Sequence, residues 1–348
     1  MQKLDKKIRV GVLGATGMVG QKLISLLDDH PWFEVSVVAA SRNSAGKKLG
    51  SLTLYSVEDD IDAISKKCSF VFCAINAQGE KKEFIKRIEE AYASLGMPVV
   101  SNNSAHRWTS DVPMIIPEVN PEHLEMISVQ QKNRGWTSGF IVTKPNCSIQ
   151  SYVPLLNAWI NFVPQRIIVS TYQAISGAGK TFESWPEMVD NVIPFIGGEE
   201  EKSEQEPSKV MGQIKKGKFI LNKKLKISAN CIRVPVSDGH MAAINVKFGK
   251  KTSVAKLIKA LQDFKNPLAD LGLPSAPQPF ITYFEEENRP QTKLDRGLHG
   301  GMGISVGRIR EDSVFDFKCV ALSHNTIRGA AGGSILTAEL LVKKGYIK

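Results

Sequence analysis

Apolar residues in the first half of the chain form short continuous runs separated by polar and glycine-rich stretches. The runs at 8–13, 35–40, 69–75 and 98–103 are typical of strands that are buried on both faces. Between them, apolar residues at helical spacing among charged ones predict a helix at 81–94. Because strands alternate with helices, we predict an α/β domain for this half of the chain.

The pattern changes in the second half, where the apolar runs are longer and polar residues interrupt them. Strands are predicted at 166–175, 223–235, 240–248, 303–310 and 315–322, the last two as an antiparallel pair, with helices at 253–263 and 325–344. This pattern predicts an α+β domain with one broad mixed sheet. We expect the final helix to pack back on the first domain. We place the first domain at 1–146 plus 326–348 and the second at 147–325.

A glycine-rich turn, G-A-T-G-M-V-G at 14–20, joins the first strand to a helix at 21–27. Glycine keeps such a turn tight and lets the backbone approach a pyrophosphate at the helix N-terminus. Strand, turn, helix and strand in this order predict a Rossmann-like dinucleotide site, although a purely structural turn is the alternative. The loop 76–79 would border the same edge of the sheet. The predicted cofactor contacts here are Gly14, Thr16, Gly17, Met18 and Val19.

The residues after the second strand indicate which dinucleotide binds. An NAD site usually has a carboxylate there for the ribose 2′-hydroxyl, and the stretch S-R-N-S at 41–44 has none. Arg42 can bind a 2′-phosphate through two hydrogen bonds, and Ser41 and Ser44 can donate further ones. This favours NADP(H) as the cofactor. The alternative for Arg42 is a solvated loop arginine.

A strand-like run at 139–142 leads into P-N-C-S, and helical spacing follows at 149–160. We therefore expect Cys147 at a strand-to-helix turn, where backbone N–H groups and the helix dipole stabilise a thiolate and could hold an oxyanion. This position predicts a nucleophile. The alternative is a buried structural thiol.

Composition narrows the possible partners. The chain has 348 residues, a formal net charge of +10 and five scattered cysteines. The positive charge favours anionic ligands, and the few cysteines without a C-x-x-C pair indicate a reducing cytoplasm. No apolar run is long enough for a membrane span, and no His or Cys spacing predicts a metal site. The lysine runs lack interleaved aromatic residues, which favours a solvated hairpin over nucleic-acid binding.

Five motifs occur in order along nearly the whole chain: G-A-T-G-M-V-G, P-N-C-S, Y-Q-A-I-S-G-A-G, I-R-V-P-V-S-D-G-H and N-T-I-R-G-A-A-G-G. Together they resemble the aspartate-semialdehyde dehydrogenases of the archaeal and fungal branch. The resemblance implies NADPH-dependent reductive dephosphorylation of L-aspartyl-4-phosphate to L-aspartate 4-semialdehyde, a step in lysine, threonine and methionine biosynthesis. It also implies a homodimer or homotetramer built through the second domain.

The resemblance assigns roles to individual residues. It implies that Cys147 forms an acyl-enzyme thioester, that His240 is the general acid and base, and that Gln173 orients the intermediate or a water. Arg233 is implied to hold the substrate carboxylate. Arg233 and His240 are seven positions apart, which would place them on opposite faces of an unbroken strand. We therefore expect a turn between them to bring the two side chains together.

Further roles follow from the same resemblance. Glu199 is implied to bind the substrate ammonium and Lys202 the phosphate, although Glu200 or Glu201 could replace Glu199, and a solvated charged turn is the alternative. The remaining implied residues are Arg107, Asn146 and Lys144 around the phosphate, and Ser176, Gly177 and Asn325 beside the cofactor. A malonyl- or succinyl-CoA reductase of the same fold is the alternative function, with CoA as the leaving group.

Overall fold

Two sheets organise the chain in the computed structural model, which describes residues 6–75 and 81–348. The strands are β1 (Ile8–Leu13), β2 (Phe33–Ala40), β3 (Lys48–Leu49), β4 (Leu52–Ser56), β5 (Phe70–Cys73), β6 (Pro98–Ser101), β7 (Phe140–Thr143), β8 (Pro164–Gln173), β9 (Gln213–Lys215), β10 (Lys218–Ile220), β11 (Lys226–Arg233), β12 (His240–Phe248), β13 (Ile281–Phe284), β14 (Ile304–Glu311) and β15 (Phe317–Ser323). The helices are α1 (Met18–Leu27), α2 (Ile61–Ser65), α3 (Lys81–Ser94), α4 (Met126–Arg134), α5 (Val153–Ala158), α6 (Glu199–Val210), α7 (Val254–Gln262), α8 (Thr292–Asp295) and α9 (Gly332–Lys343). The predicted loop 76–79 lies outside the described residues.

The first sheet has seven strands in the order β3-β4-β2-β1-β5-β6-β7, all parallel except the β3–β4 pair. Side chains from α1 and α9 pack on one face, and side chains from α2 and α3 pack on the other. Both faces are therefore buried, which explains why these strands appear in the sequence as continuous apolar runs. The predicted α/β fold is confirmed.

The second sheet has six strands in the order β11-β8-β12-β15-β14-β13. Its β11–β8 and β13–β14 pairs are parallel and the other three pairs are antiparallel, so the predicted mixed sheet is confirmed. Buried and more exposed residues alternate along β8 and β11. One face of these strands therefore packs on the core, and the opposite face is less covered.

The last helix returns to the first domain, as predicted. A single π-helical turn, Ile327–Ala331, precedes α9, and α9 packs against β6 and α1. Its apolar residues, among them Leu336 and Leu340, belong to the core of the first sheet. The C-terminal segment thus connects the two domains.

The helix predicted at 149–160 is not continuous. Ser148–Ser151 forms a 3₁₀ turn, Val153–Ala158 is α-helical, and Ile160–Phe162 is again 3₁₀. The break falls at Tyr152, whose φ of −120° is outside the helical range. Apolar spacing alone predicted one helix because it does not reveal this backbone break.

Within the described ranges, none of the helices combines the length and hydrophobicity that crossing a bilayer requires.

Candidate active site

A cleft of about 320 Å³ joins the glycine-rich turn of the first domain to Cys147. The predicted residues that line it are Gly17, Met18, Val19, Arg107, Asn146, Cys147, Ser176, Gly177, Glu199, Lys202 and Asn325. Asn102, Asn103 and Thr326 also line it, and the sequence analysis did not identify them. Predicted cofactor and substrate residues therefore share one cleft, although Gln173, Arg233 and His240 do not line it.

The glycine-rich turn fits a dinucleotide pyrophosphate. Gly14 has a φ of +83°, and a Cβ atom added there would lie 2.4 Å from the carbonyl oxygen of Ala74. A Cβ atom on Gly20 would lie 2.2 Å from the carbonyl oxygen of Gly14. Gly17 is the N-cap residue of α1 and supplies no side-chain cap, so the first turn of this helix presents its backbone N–H groups to the cleft. Thr16 is exposed at the same turn.

Arg42 pairs with carboxylates that the local sequence did not reveal. Its Nε and Nη2 donate to the two carboxylate oxygens of Asp59 at 2.6 Å each, and Glu58 Oε1 lies 3.3 Å from Nε. The prediction that this site holds no carboxylate is therefore wrong. The carboxylates come from the loop after β4, which pairs with β2. Ser41 and Ser44 lie in the same turn as Arg42, where the Ser44 N–H donates to the Ser41 carbonyl oxygen at 2.8 Å.

Two predicted catalytic residues and one predicted substrate residue form one row across the second sheet. Gln173 ends β8 and pairs with Arg233, which ends β11, and with His240, which begins β12. Directly paired residues of neighbouring strands point to the same face of a sheet. All three are buried, so the row lies on the core side at one end of the sheet. The register of three strands, rather than the turn that we expected, brings Arg233 and His240 to one face.

Gln173 is held in one orientation. Its Oε1 accepts from Thr171 Oγ1 at 3.0 Å, and its Nε2 donates to Glu199 Oε2 at 3.2 Å. The amide is therefore fixed beside the carboxylate that lines the cleft.

Gly177 separates the cleft from Arg233 and His240. A Cβ atom on Gly177 would lie 2.9 Å from Arg233 Nη1 and 3.1 Å from His240 Nε2. Arg233 Nη1 donates to the carbonyl oxygen of Ala174 at 2.6 Å, so the guanidinium lies against the same loop. Glycine at 177 is what lets both side chains lie so close to the cleft.

His240 is a neutral imidazole with a fixed tautomer. Its Nδ1 accepts from the Ala174 N–H at 3.1 Å, so the proton of the neutral ring is on Nε2. Nε2 is buried and has no hydrogen-bond partner among the described residues. Burial, and then the charge of Arg233, lowers the pKa of His240 to about 3. In this arrangement the neutral ring can donate a hydrogen bond from Nε2, and it can take up a proton only at Nδ1, after it releases the Ala174 N–H.

The thiol of Cys147 is protonated at neutral pH. Burial, and then the Glu199 carboxylate, raises its pKa to about 11, against the opposite effects of Arg107, Arg233 and Lys144. The expectation of a thiolate stabilised by a helix N-terminus is therefore wrong. The segment that follows Cys147 is a 3₁₀ turn of four residues, which has too short a dipole to offset burial.

This protonation state predicts how alkylation of Cys147 depends on pH. Because only the thiolate reacts, we expect the iodoacetamide rate to rise about tenfold per pH unit between about pH 7 and 9.5. The rate would be followed by mass spectrometry of the Cys147 peptide, since the other four cysteines are buried. A rate that is flat over this range would contradict a raised pKa. The Cys147→Ser variant gives the background.

One face of α6 lines the cleft that contains Cys147. Glu199 accepts from Asn146 Nδ2 at 3.0 Å and from Lys202 Nζ at 2.8 Å. Burial alone would raise the pKa of Glu199, but the charge and hydrogen bond of Lys202, with the bonds from Asn146 and Gln173, lower it. Thus Glu199 and Lys202 lie in the cleft and do not form a solvated turn.

The other two glutamates of this run point elsewhere. Glu200 Oε1 accepts from the Cys231 N–H at 3.2 Å, and Glu201 is exposed. Of the three candidates, the structure places Glu199 in the cleft.

Glu206, two turns further along α6, is a residue that the sequence analysis missed. Its carboxylate accepts from Arg107 Nη1 at 2.7 Å and from the Asn146 N–H at 2.6 Å. Arg107 Nε also donates to the Lys144 carbonyl oxygen at 2.9 Å. Glu206 therefore fixes the candidate phosphate-binding arginine relative to the segment that carries Cys147. Its position in a uniformly polar run gave no signal in the sequence.

The C-terminal segment completes the cleft. Asn325 Oδ1 accepts from the Gly239 N–H at 2.8 Å, and Nδ2 donates to Ser176 Oγ at 2.9 Å. A Cβ atom on Gly329 would lie 2.7 Å from the Cβ atom of Cys147, so this glycine allows close contact with the thiol segment. Asn325 thus links the Ser176 loop to the chain that leads into the π-helical turn.

A buried ion pair supports that turn. Arg328 Nη1 and Nη2 donate to the two oxygens of Glu118 at 2.5 Å each, and both side chains are at most 1% exposed. The guanidinium lies 4.8 Å from the ring centre of Phe280. The ion pair fixes Arg328, the residue next to Gly329. This pair was not predicted from the sequence.

No group of three or more His, Cys, Asp or Glu side chains in 6–75 and 81–348 could hold a metal ion.

Comparison with known proteins defines the class. The family described as "Semialdehyde dehydrogenase, NAD binding domain" matches residues 9–127, and "Semialdehyde dehydrogenase, dimerisation domain" matches residues 153–328. These matches agree with the two-sheet fold, and they define a two-domain semialdehyde dehydrogenase.

Individual relatives narrow the family. The aspartate-semialdehyde dehydrogenase of Archaeoglobus fulgidus is 44% identical over 97% of this chain and 99% of the relative. The Saccharomyces cerevisiae enzyme is 41% identical over 98% of this chain and 99% of the relative. The Candida albicans enzyme, solved with NADP, superposes with a TM-score of 0.87 at 36% identity, over 98% of this chain and all of that one. The chain belongs to the aspartate-semialdehyde dehydrogenase family, which confirms the resemblance seen in its motifs.

Proposed function

We propose that this protein catalyses the NADPH-dependent reductive dephosphorylation of L-aspartyl-4-phosphate to L-aspartate 4-semialdehyde, in the biosynthesis of lysine, threonine and methionine. The observation that carries the proposal is the single cleft that joins a pyrophosphate-fitting turn to Cys147. The names of the relatives and the NADP bound to the Candida albicans enzyme support it.

We infer that Cys147 is the nucleophile. Its sulfur attacks the acyl carbon, the bond to the phosphate oxygen breaks, and a thioester forms. Arg107 and Lys202 bind the departing phosphate, and Glu206 keeps Arg107 in place. A buried, hydrogen-bonded arginine is suited to this role because its donors are already oriented.

The chain's own residues also hold the amino-acid part of the substrate. Glu199 accepts the substrate ammonium, with its charge maintained by Lys202, and Arg233 holds the carboxylate. Gln173 orients the reacting carbonyl from its fixed position beside Glu199. Because Arg233 lies behind Gly177, we infer that the substrate displaces this loop when it binds.

We assign the cofactor residues as follows. Gly14, Thr16, Gly17, Met18 and Val19 form the pyrophosphate site, Ser41, Arg42 and Ser44 lie near the adenosine ribose, and Ser176, Gly177 and Asn325 border the nicotinamide. When bound, NADPH supplies the hydride that reduces the thioester.

His240 handles the proton of the thiol. Once the ring has taken up the thiol proton, the imidazolium can give a proton from Nε2 to the sulfur when the hemithioacetal collapses and releases the aldehyde. To accept the thiol proton at the start, the ring has to release the Ala174 N–H. The low pKa of His240 ensures that an acquired proton is readily given back.

We further propose a cytoplasmic homodimer or homotetramer that associates through the second domain. Apolar side chains are exposed on β8 and on the segment beside β11, among them Tyr172 (38%), Val192 (55%) and Phe195 (68%). Burying such side chains between subunits would stabilise an oligomer. The domain division at 1–146 plus 326–348 and 147–325 is part of the same proposal.

The reverse reaction tests the substrate assignment. Enzyme, L-aspartate semialdehyde, inorganic phosphate and NADP are mixed, and NADPH absorbance is followed. We expect turnover that requires phosphate, because phosphate must cleave the thioester. Turnover that needs CoA instead, or NADPH oxidation by malonyl-CoA, would favour the CoA-reductase alternative.

A further inference from the structure

The loop after β4 places a fixed carboxylate beside the residue assigned to the cofactor 2′-phosphate. Ser56, the last residue of β4, pairs with Ala40, the last residue of β2. Ser56 Oγ donates to Asp59 Oδ2 at 2.7 Å, and the Asp59 N–H donates back to Ser56 Oγ at 3.2 Å. The carboxylate is thus held at the carboxyl end of β2, the position from which dinucleotide-binding sheets recognise the ribose.

This carboxylate occupies one of the two edges through which Arg42 can form a two-bond contact. Nε and Nη2 form a two-bond contact with Asp59, in the geometry that an arginine also uses for phosphate. Only the other edge of the guanidinium, formed by Nη1 and the second hydrogen of Nη2, faces away from Asp59. Glu58, 3.3 Å from Nε, adds a second negative charge.

We propose that Asp59 is a selectivity-determining residue for the dinucleotide, which weakens the preference for NADP by competing with the 2′-phosphate for Arg42. The inference rests on the proposed cofactor site. One positive and two negative side chains meet at this point, so a 2′-phosphate with up to two negative charges meets net repulsion. A ribose 2′-hydroxyl carries no charge and can donate to Asp59 instead. The pair therefore allows both NADP and NAD to bind, whereas an arginine alone would select NADP.

The test compares NADP and NAD binding to the full-length enzyme by isothermal titration calorimetry, a readout that does not depend on turnover. Asp59→Asn retains the size of the side chain and its bond to Ser56 but removes the charge. We expect it to tighten NADP binding about tenfold while NAD binding stays within about twofold. The matched control is Asp263→Asn, the same change in an exposed pair with Lys259 in the second domain, and we expect no effect on either nucleotide.

Arg42→Gln separates this inference from the cofactor site on which it rests. We expect Arg42→Gln to weaken NADP binding about tenfold, and Asp59→Asn to tighten NADP binding less in that background than in the natural enzyme, because the competition for Arg42 is gone and only the charge repulsion remains. If Arg42→Gln weakens NADP binding but Asp59→Asn leaves the NADP-to-NAD ratio unchanged or lowers it, the inference is overturned and the cofactor site stands. If Arg42→Gln changes neither affinity, the assignment of Arg42 fails, and the inference fails with it.

Discussion

Replacing Cys147 with alanine is expected to reduce phosphate-dependent NADP reduction by about 10⁴-fold or more. Without the sulfur no thioester can form, and the remaining residues of the cleft can bind the substrate but provide no covalent route. The measurement is the reverse assay with L-aspartate semialdehyde, phosphate and NADP. In parallel, calorimetry should find NADP binding unchanged, because the glycine-rich turn is not altered.

Cys319→Ala is the matched control for this result. Cys319 is buried in the core of the second sheet, away from the cleft, so the same loss of a thiol should leave turnover within about threefold. If Cys147→Ala retained a tenth of the normal rate, the thioester mechanism would be wrong.

Replacing Glu118 with alanine is expected to lower the free energy of unfolding by about 3–5 kcal/mol. The change leaves the guanidinium of Arg328 buried without its counter-charge, and burial of an unpaired charge is costly. Urea unfolding followed by fluorescence and by circular dichroism would measure the loss, at equal protein concentration because an oligomer is expected.

Two further variants separate the charge effect from a general loss of contacts. In Glu118→Leu combined with Arg328→Met, apolar groups replace both charges, and we expect most of the lost stability to return. Lys259 and Asp263 form an exposed pair, so Asp263→Asn should change the free energy of unfolding by less than about 1 kcal/mol. A loss below about 1 kcal/mol for Glu118→Ala would mean that the buried pair contributes little.

Local patterns in the sequence were sufficient to predict most of the secondary structure and the fold class. The strand at 8–13 and the helix at 81–94 have the predicted bounds, because continuous apolar runs and helical spacing reflect local burial. Four of the five motifs contribute residues to one cleft, because each of these four lies at an element end that faces it, whereas the motif at 232–240 lies behind Gly177.

Relations between distant segments could not be predicted in the same way. Arg233 and His240 raised a spacing problem because the sequence does not state that β8 lies between their strands. Asp59 was missed for the same reason: it is distant from Arg42 along the chain and becomes its neighbour only when β4 pairs with β2. The order of the strands in a sheet depends on the whole chain, so it cannot be predicted from the short segments that carry these residues.

Burial of polar groups was the second source of error. The pKa of Cys147 depends on how completely the fold encloses it, which its flanking residues do not encode. Helix α6 is almost entirely polar, and hydrogen bonds from Asn146 and Arg107 stabilise its buried face beside the apolar contact of Val210. A hydrophobicity pattern cannot detect a helix that is held in this way.

The position of α9 affects how the protein can be made in the cell. The ribosome synthesises all strands of the first sheet early, but α9, which covers one of its faces, emerges only after the entire second domain. Until then, the nascent first domain has an apolar face that only α1 and its neighbours partly cover, a state in which chaperones commonly bind. Gly329, which contacts Cys147, arrives equally late. A chain whose translation stops early thus has neither a finished nucleotide domain nor an enclosed thiol, and we expect it to be inactive and readily degraded.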